Sequence, residues 1–335
     1  MKCMSSAPIP EWRNVDLRVF REEIVPLYRP ALMRGLVGDW PAVAAADPAA
    51  YLAAFDRGAE AEAFVGSPEI EGRYFYKSDM SGFNFERRKG RLAEILRTLV
   101  ELKEAERPPG IYVGAAATAE CLPGFAEQNP LPLVEGTDAA ARVWIGNRSV
   151  VSTHFDLSDN LACVVAGRRR FTLFPPDQLA NLYVGPLDYT MAGQPASMVE
   201  LNKPDFERFP RFREALAASL SAELGPGDAL YIPTLWWHQI EALDPLNILV
   251  NYWWEDAPAD RGSMFEAMVH AIYAAGTVPP ARLAAWRGMF DHYVFREHGE
   301  PAAHLDPAHR GILAESAPPL RQRFRQFLLR GLGMR

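Results

Sequence analysis

Apolar positions along this chain change their period twice. In RLAEILRTLVELKE, Leu92, Ile95, Leu96, Leu99 and Leu102 recur at helix spacing and would line one face of a helix. Most of the stretch from Val15 to about Leu102 reads as helical, with a short RYFY run as a strand. Between Ile111 and Glu255 the text turns to short β-branched and aromatic runs separated by turn residues: IYV, ARVWI, VVSTHFD, LACVV, RFTLF, ALYIP, HQIEAL and NILVNYWW. That spacing predicts an antiparallel sandwich or barrel. After Asp260 the helix period returns, with Phe265, Met268, Val269 and Ile272 on one face and Leu283, Trp286, Phe290 and Tyr293 on another. Both are expected to be packing helices. No repeat or low-complexity block interrupts the chain, and Pro and Gly are scattered. The expected organisation is one elaborated domain: flanking helical and strand elements over 1–110, a mainly β core over 111–256, and a helical extension over 257–335.

Composition narrows this picture. With 335 residues, 49% hydrophobic and 23% charged, the chain can bury a large core. Its early apolar stretch, residues 31–46, is broken by Arg34 and Asp39, and so falls short of a membrane span of about 20 residues. MKCMSSAPIPEW lacks a signal-peptide apolar region, so a cytoplasmic protein with no membrane partner is expected. Cys3, Cys121 and Cys163 have neither disulfide-framework nor zinc-site spacing. A formal net charge of −7 disfavours loose attraction to nucleic acid. The local exception is PPLRQRFRQFLLRGLGMR, with Arg321, Arg323, Arg325, Arg330 and Arg335 and no acid.

Candidate chemistry begins at THFD. Residues two apart on a strand project from one face, so His154 and Asp156 can converge on one ion. Taken alone, a His-x-Asp triplet is common by chance. The third candidate is His238, in GDALYIPTLWWHQIEAL, at the start of another predicted strand. Two imidazoles and a carboxylate would occupy one face of an octahedral iron, leaving positions for oxygen and a bidentate co-substrate. Trp236 and Trp237 are expected in the core.

HFDLSDNLACVVAGRRRFTLFPPDQ, NKPDFERFPRF, GPGDALYIPTLWWHQIEAL and ILVNYWW, in that order, resemble the cupin-like branch of the Jumonji-C oxygenases. Within that branch the likeness is greatest to the asparaginyl hydroxylases that act on hypoxia-inducible factor. PALMRGLVGDWPA extends it towards the N-terminus. The resemblance implies a double-stranded β-helix (a cupin or jelly-roll core) with His154, Asp156 and His238 on the three ligand positions for Fe(II). It also implies a reaction in which O2 converts 2-oxoglutarate to succinate and CO2 while a substrate C–H bond is hydroxylated.

In that chemistry the distal carboxylate of 2-oxoglutarate needs a cation deep in the barrel. Alternation along RRRFTLF puts Arg169 with Phe171 and Leu173, and Arg168 and Arg170 with Thr172 on the opposite face. Arg169 is therefore the candidate anchor, where the asparaginyl hydroxylases carry lysine; a guanidinium can pair with a carboxylate bidentately. Tyr112, Asn160 and Asn251 match positions that hydrogen-bond co-substrate or line its pocket, core packing and turn satisfaction being their other possible roles. Two segments are candidate rims: YFYKSDMSGFNFERRKG, with Tyr76, Phe83 or Asn84 toward substrate, and the segment from Tyr183 to Glu207. Leu320, Phe324, Phe327 and Leu328 form an apolar stripe that favours a homodimer through the C-terminal helices, over an intramolecular helix. The expected substrate is a protein or peptide side chain. A small-molecule hydroxylase and a non-catalytic metal-bearing module are the alternatives; nucleic acid is not favoured.

Overall fold

The computed structural model describes residues 6–255, 262–314 and 318–332, with side chains of the last segment from residue 322 onward. Cys3, Arg335 and the side chains of Leu320 and Arg321 lie outside the described residues. The chain forms two compact units, Met1–Glu255 and Asp256–Arg335.

The first unit contains, in chain order, strands β1 (Ala7–Pro8), β2 (Glu11–Trp12), β3 (Ala31–Met33), β4 (Glu60–Gly66), β5 (Arg73–Tyr74), β6 (Phe85–Arg91), β7 (Gly110–Ala117) and β8 (Ala140–Gly146). They are followed by β9 (Ser149–His154), β10 (Asp159–Ala166), β11 (Arg169–Phe174), β12 (Leu220–Leu224), β13 (Ala229–Ile232), β14 (Trp237–Ala242) and β15 (Asn247–Trp254). They build two sheets, ordered β1-β12-β11-β14-β9-β5 and β2-β3-β13-β10-β15-β8-β7-β4-β6. Strands β8, β10, β13 and β15 fall in the second sheet and β9, β11, β12 and β14 in the first, as a double-stranded β-helix requires. Each run read as a strand between Ile111 and Glu255 is one.

The flanking segment bears out one helix reading and corrects another. The helix Leu92–Glu101 buries Leu92, Leu96 and Leu99, as its period predicts. The segment before it is not mostly helical, however, because β4 and β6 pair antiparallel and extend the larger sheet through β7. EAEAFVG alternates with period two, which is a strand signal, whereas FERRKGR is an outermost, mostly exposed strand with no buried face to advertise it.

Alternation also explains the layering. Leu161, Cys163 and Val165 of β10 belong to the apolar cluster that includes Phe20, Leu96 and Leu99. Ala162 and Val164, between them, pack instead with Phe171, Leu173, Leu230 and Leu249 inside the barrel. A strand apolar on both faces reads as a continuous run, and LACVVA is one. Between β10 and β11 the chain turns at Gly167, with φ +72 and the Leu246 carbonyl oxygen only 2.5 Å from where a Cβ would stand. Only glycine fits that turn, which sets the phase of Arg169–Phe174.

The second unit contains helices Met264–Ala275, Pro280–Tyr293 and Pro318–Gly331. Ser263 caps the first through a reciprocal capping box with Glu266. The expectation that the first two pack their apolar faces is corrected here: Met268, Val269, Ile272, Leu283, Trp286, Phe290 and Tyr293 are all exposed, as are Phe324, Phe327 and Leu328 of the stripe read as a dimer face. Helix period reports an apolar face, not what covers it. Among the described residues, no helix is long and apolar enough to cross a membrane.

Candidate metal centre

Strands β9 and β14 pair antiparallel with His154 opposite His238, and a register shift follows at Ile240. The two imidazole rings lie 4.4 Å apart between centroids, and His238 Nε2 is 3.7 Å from Asp156 Oδ2. Ligand atoms of His154, Asp156 and His238 all lie within 4.8 Å of one another, a group able to hold a metal ion. The backbone fixes which nitrogens face inward. His154 Nδ1 is 2.8 Å from the Ser152 carbonyl oxygen and His238 Nδ1 is 3.0 Å from that of Trp236. Each Nδ1–H donates to its carbonyl, which leaves both Nε2 lone pairs for a metal.

The turn that leads into β14 and His238 is tied to the segment just past β9 that carries Asp156. Leu235 takes a left-handed backbone, φ +64, and its N–H donates to the Asp156 carbonyl at 3.0 Å. That conformation is uncommon for a leucine and is held by the surrounding bonds. His238 is 1% exposed, and burial first, then neighbouring His154, pushes its pKa down to about 4. A neutral imidazole is the form that binds metal.

Asp156 is oriented through Asn160, whose Nδ2 donates to its Oδ2 at 3.3 Å. Asn251 Nδ2 donates in turn to Asn160 Oδ1 at 3.1 Å, and Trp144 Nε1 donates to Asn251 Oδ1 at 2.7 Å. Asn160 and Asn251, read from the sequence as pocket residues, line the inner pocket described below and also form this chain.

Arg169 is buried at 2% exposure, while Arg168 and Arg170 are exposed and paired to Asp244, Glu223 and Glu241. Its contacts do not match its charge. A single long bond, 3.5 Å, runs from one terminal nitrogen to the Trp144 carbonyl, and buried Nε has no partner among the described residues. Burial pushes its pKa down to about 10, which still leaves it charged at neutral pH. A buried guanidinium without a counter-charge is costly, and an anion on it removes the cost. Tyr112 is buried beside it, and burial pushes its phenol well above its ordinary pKa.

Two cavities meet at these residues. An inner pocket of about 30 Å³ touches Arg169, His238, Asn160 and Asn251. An outer cavity of about 540 Å³ is walled by Phe64, Tyr74, Tyr112, Trp144 and Trp253, with Thr190–Gln194 on its rim. His154, Asp156, Tyr112, Val151, Trp144 and Trp253 line both. Both sequence-derived rims thus reach the cavity, the earlier through Tyr74 and Arg87 and the later through Thr190–Gln194. Tyr76, Phe83 and Asn84 do not: Asn84 clips its own loop through Phe75 N–H and the Arg73 carbonyl, and the Tyr76 hydroxyl donates to the Tyr189 carbonyl at 2.5 Å. The sequence reading missed Trp144, Trp253 and the Glu62–Arg87 pair. Trp253 shares the strand face of Asn251, two residues away, and was findable by that parity.

An eight-stranded double-stranded β-helix that aims two histidines and one aspartate into its interior beside a buried cation defines a cupin-type fold with a candidate metal site. Residues 17–260 match the cupin-like domain family, and the chain belongs to it, in its Jumonji-C-type branch. It is similar to the Arabidopsis thaliana lysine-specific demethylase JMJ31, 40% identical over 104 residues, 31% of this chain and 18% of that protein. It is also similar to human HSPB1-associated protein 1, 36% identical over 135 residues, 40% of this chain and 27% of that protein. The match to the Danio rerio tRNA wybutosine-synthesizing protein 5 is broader: 27% identity over 282 residues, 78% of this chain and 79% of that one. The chain thus spans less than a third of the first two relatives and most of the third.

Proposed function

We propose that this chain is an Fe(II)- and 2-oxoglutarate-dependent oxygenase that hydroxylates a side chain of a protein or peptide. The observation that carries the reading is the convergence of His154, Asp156 and His238 beside Arg169, a buried cation with no acidic partner among the described residues. Two nitrogens and a carboxylate oxygen on one side suit iron(II) with positions left open. When bound, iron(II) couples reaction of O2 with 2-oxoglutarate, giving succinate and CO2, to hydroxylation of a substrate C–H bond.

The remaining work falls to the chain itself. Arg169 and Tyr112 take the distal carboxylate of 2-oxoglutarate. The inner pocket holds little more than one carboxylate end, so the rest of the co-substrate extends along the wall shared with the outer cavity. The Trp144, Trp253 and Tyr112 rings keep that wall dry and present a flat apolar surface to the substrate. His238, kept neutral by burial, stays available for metal at neutral pH.

Named relatives act, by their names, on lysine and in tRNA wybutosine synthesis. A protein side chain suits this cavity better than a phosphate-bearing group, because its lining cation, Arg87, is already paired to Glu62 at 2.6 Å. A small-molecule substrate is the second reading, favoured by the cavity's 540 Å³, within the usual size of ligand pockets. Exposed apolar side chains on the helices Met264–Ala275 and Pro280–Tyr293 support homodimerisation. The test of activity is direct: full-length protein with iron(II), ascorbate and O2 converts 2-oxoglutarate to succinate, and His154→Ala abolishes the conversion. No succinate, with no metal-dependent 2-oxoglutarate binding, refutes the oxygenase reading.

A further inference from the structure

The two amides between Trp144 and Asp156 have a definite polarity, and its source lies at the far end. Trp144 and Asn251 are diagonal neighbours across the β8–β15 pairing, since Trp144 stands opposite Leu249 and Asn251 is two residues on. Asn251 and Asn160 are diagonal across β10–β15 in the same way, with Ala162 opposite Asn251 and Trp253 opposite Asn160. The sheet register therefore lays three polar groups in a line on the barrel's inner face. Asp156 lies four residues before Asn160, across the connection from β9.

An asparagine amide carries a donor end and an acceptor end, and nothing in its shape decides which points where. An indole N–H can only donate. Its bond at 2.7 Å therefore fixes Asn251 with Oδ1 toward Trp144 and Nδ2 toward Asn160. Asn160 must answer with Oδ1, which leaves its own Nδ2 for Asp156. A carboxylate oxygen held by an N–H is restricted in how it turns, and Asp156 Oδ2 is the oxygen that faces His238 Nε2 at 3.7 Å.

We propose that Trp144 is a positioning residue: its indole N–H sets the direction of the Asn251–Asn160 relay and thereby the orientation of the Asp156 carboxylate toward the metal. The proposal rests on the metal-site reading above. The indole N–H bonds to Asn251 and reaches Asp156 only through the two amides. Because Trp144 also lines the outer cavity, the relay runs from the substrate wall to the metal.

Cobalt(II) binding to the full-length chain separates this role from packing, read as a dissociation constant and as the positions of the cobalt d–d bands. Trp144→Phe keeps an aromatic ring against Tyr112 and Trp253 but removes the N–H; it should weaken cobalt binding about threefold to tenfold and shift the bands. Asn251→Asp, nearly isosteric, leaves only acceptors at that position. It should turn Asn160 to present Oδ1 to Asp156 and weaken binding by about tenfold or more. In the double variant the Trp144→Phe loss should vanish, since the carboxylate introduced by Asn251→Asp accepts whatever stands at position 144, whereas packing defects would add. An unchanged dissociation constant with unchanged bands in Trp144→Phe, or additive losses, overturns the proposal. Should Trp144→Phe fail to fold, Asn251→Asp, which retains the indole, decides it alone: unaltered cobalt binding there also overturns it. Failure of the unaltered chain to bind cobalt would instead sink the metal-site reading, and this proposal with it.

Discussion

The barrel interior and the C-terminal helices treat their residues in opposite ways. Inside the barrel, polar and charged groups are buried or half-buried and most are accounted for: two histidines bonded to carbonyls, an aspartate held by an amide chain, and one arginine with no acidic partner among the described residues. On the helices Met264–Ala275 and Pro280–Tyr293, large apolar groups stand in solvent, with Tyr273 at 85% exposure and Trp286 at 55%. Each region carries an unmet demand of a different chemistry. The interior offers a ligand trio for a cation and Arg169 for an anion, which the proposed metal and co-substrate would supply. The helices leave apolar faces uncovered, the surface on which the proposed homodimer would form.

Removing what each region offers should therefore produce different failures. The largest effect is expected at Asp156: with Asp156→Ala, metal binding and succinate formation should fall by more than about 1000-fold, since the facial set loses its only carboxylate. Chelation of the unaltered protein should do the same to turnover, with activity restored by iron(II). Next comes Arg169→Met, which keeps length and burial but removes the charge. It should raise the 2-oxoglutarate concentration for half-saturation roughly 10- to 100-fold, with metal affinity unchanged, because bonds to a charged group are lost while the ligands stay. A parallel loss of metal binding would show that Arg169 holds the fold, not the co-substrate.

On the helical side, Trp286→Glu should weaken self-association about tenfold or more in sedimentation, with the folding of Met1–Glu255 untouched. A parent chain that is monomeric at micromolar concentration would remove the contrast between the regions.

The smallest effect concerns pH. His238 has its folded pKa lowered, so below the ordinary histidine value the unfolded chain takes up a proton that the folded chain refuses. Stability of the metal-free protein from this group should be full above about pH 6.5 and lost progressively as pH falls toward about 4. Urea unfolding midpoints compared with those of His238→Gln check it, because the variant should lack that slope.

The same contrast explains what the sequence made legible. Strands β8–β11 and β13–β15 were readable because burial on one or both faces demands dense β-branched and aromatic runs. Arg169 followed from strand parity once the runs were placed; the same parity paired His154 with Asp156, although Asp156 stands two residues past the end of β9. β12, in LSAEL, is short and half polar, and β6 is an exposed arginine-rich edge; neither has a period strong enough to read. The role of Trp144 was closed to any local pattern, because its partner Asn251 lies 107 residues away and meets it only through the β8–β15 register. The exposure of Trp286 was closed for the opposite reason, since an apolar helix face looks the same whether its own chain or another covers it.

The central claim is that one site holds both the metal and the dicarboxylate. Anaerobic titration of 2-oxoglutarate into the iron(II)-loaded full-length chain, followed by visible charge-transfer absorption, tests it most directly. The predicted result is a band that requires both iron(II) and 2-oxoglutarate, is absent in Asp156→Ala, and saturates only at much higher 2-oxoglutarate in Arg169→Met. A chain that binds iron(II) yet shows no band and no heat of 2-oxoglutarate binding would contradict it.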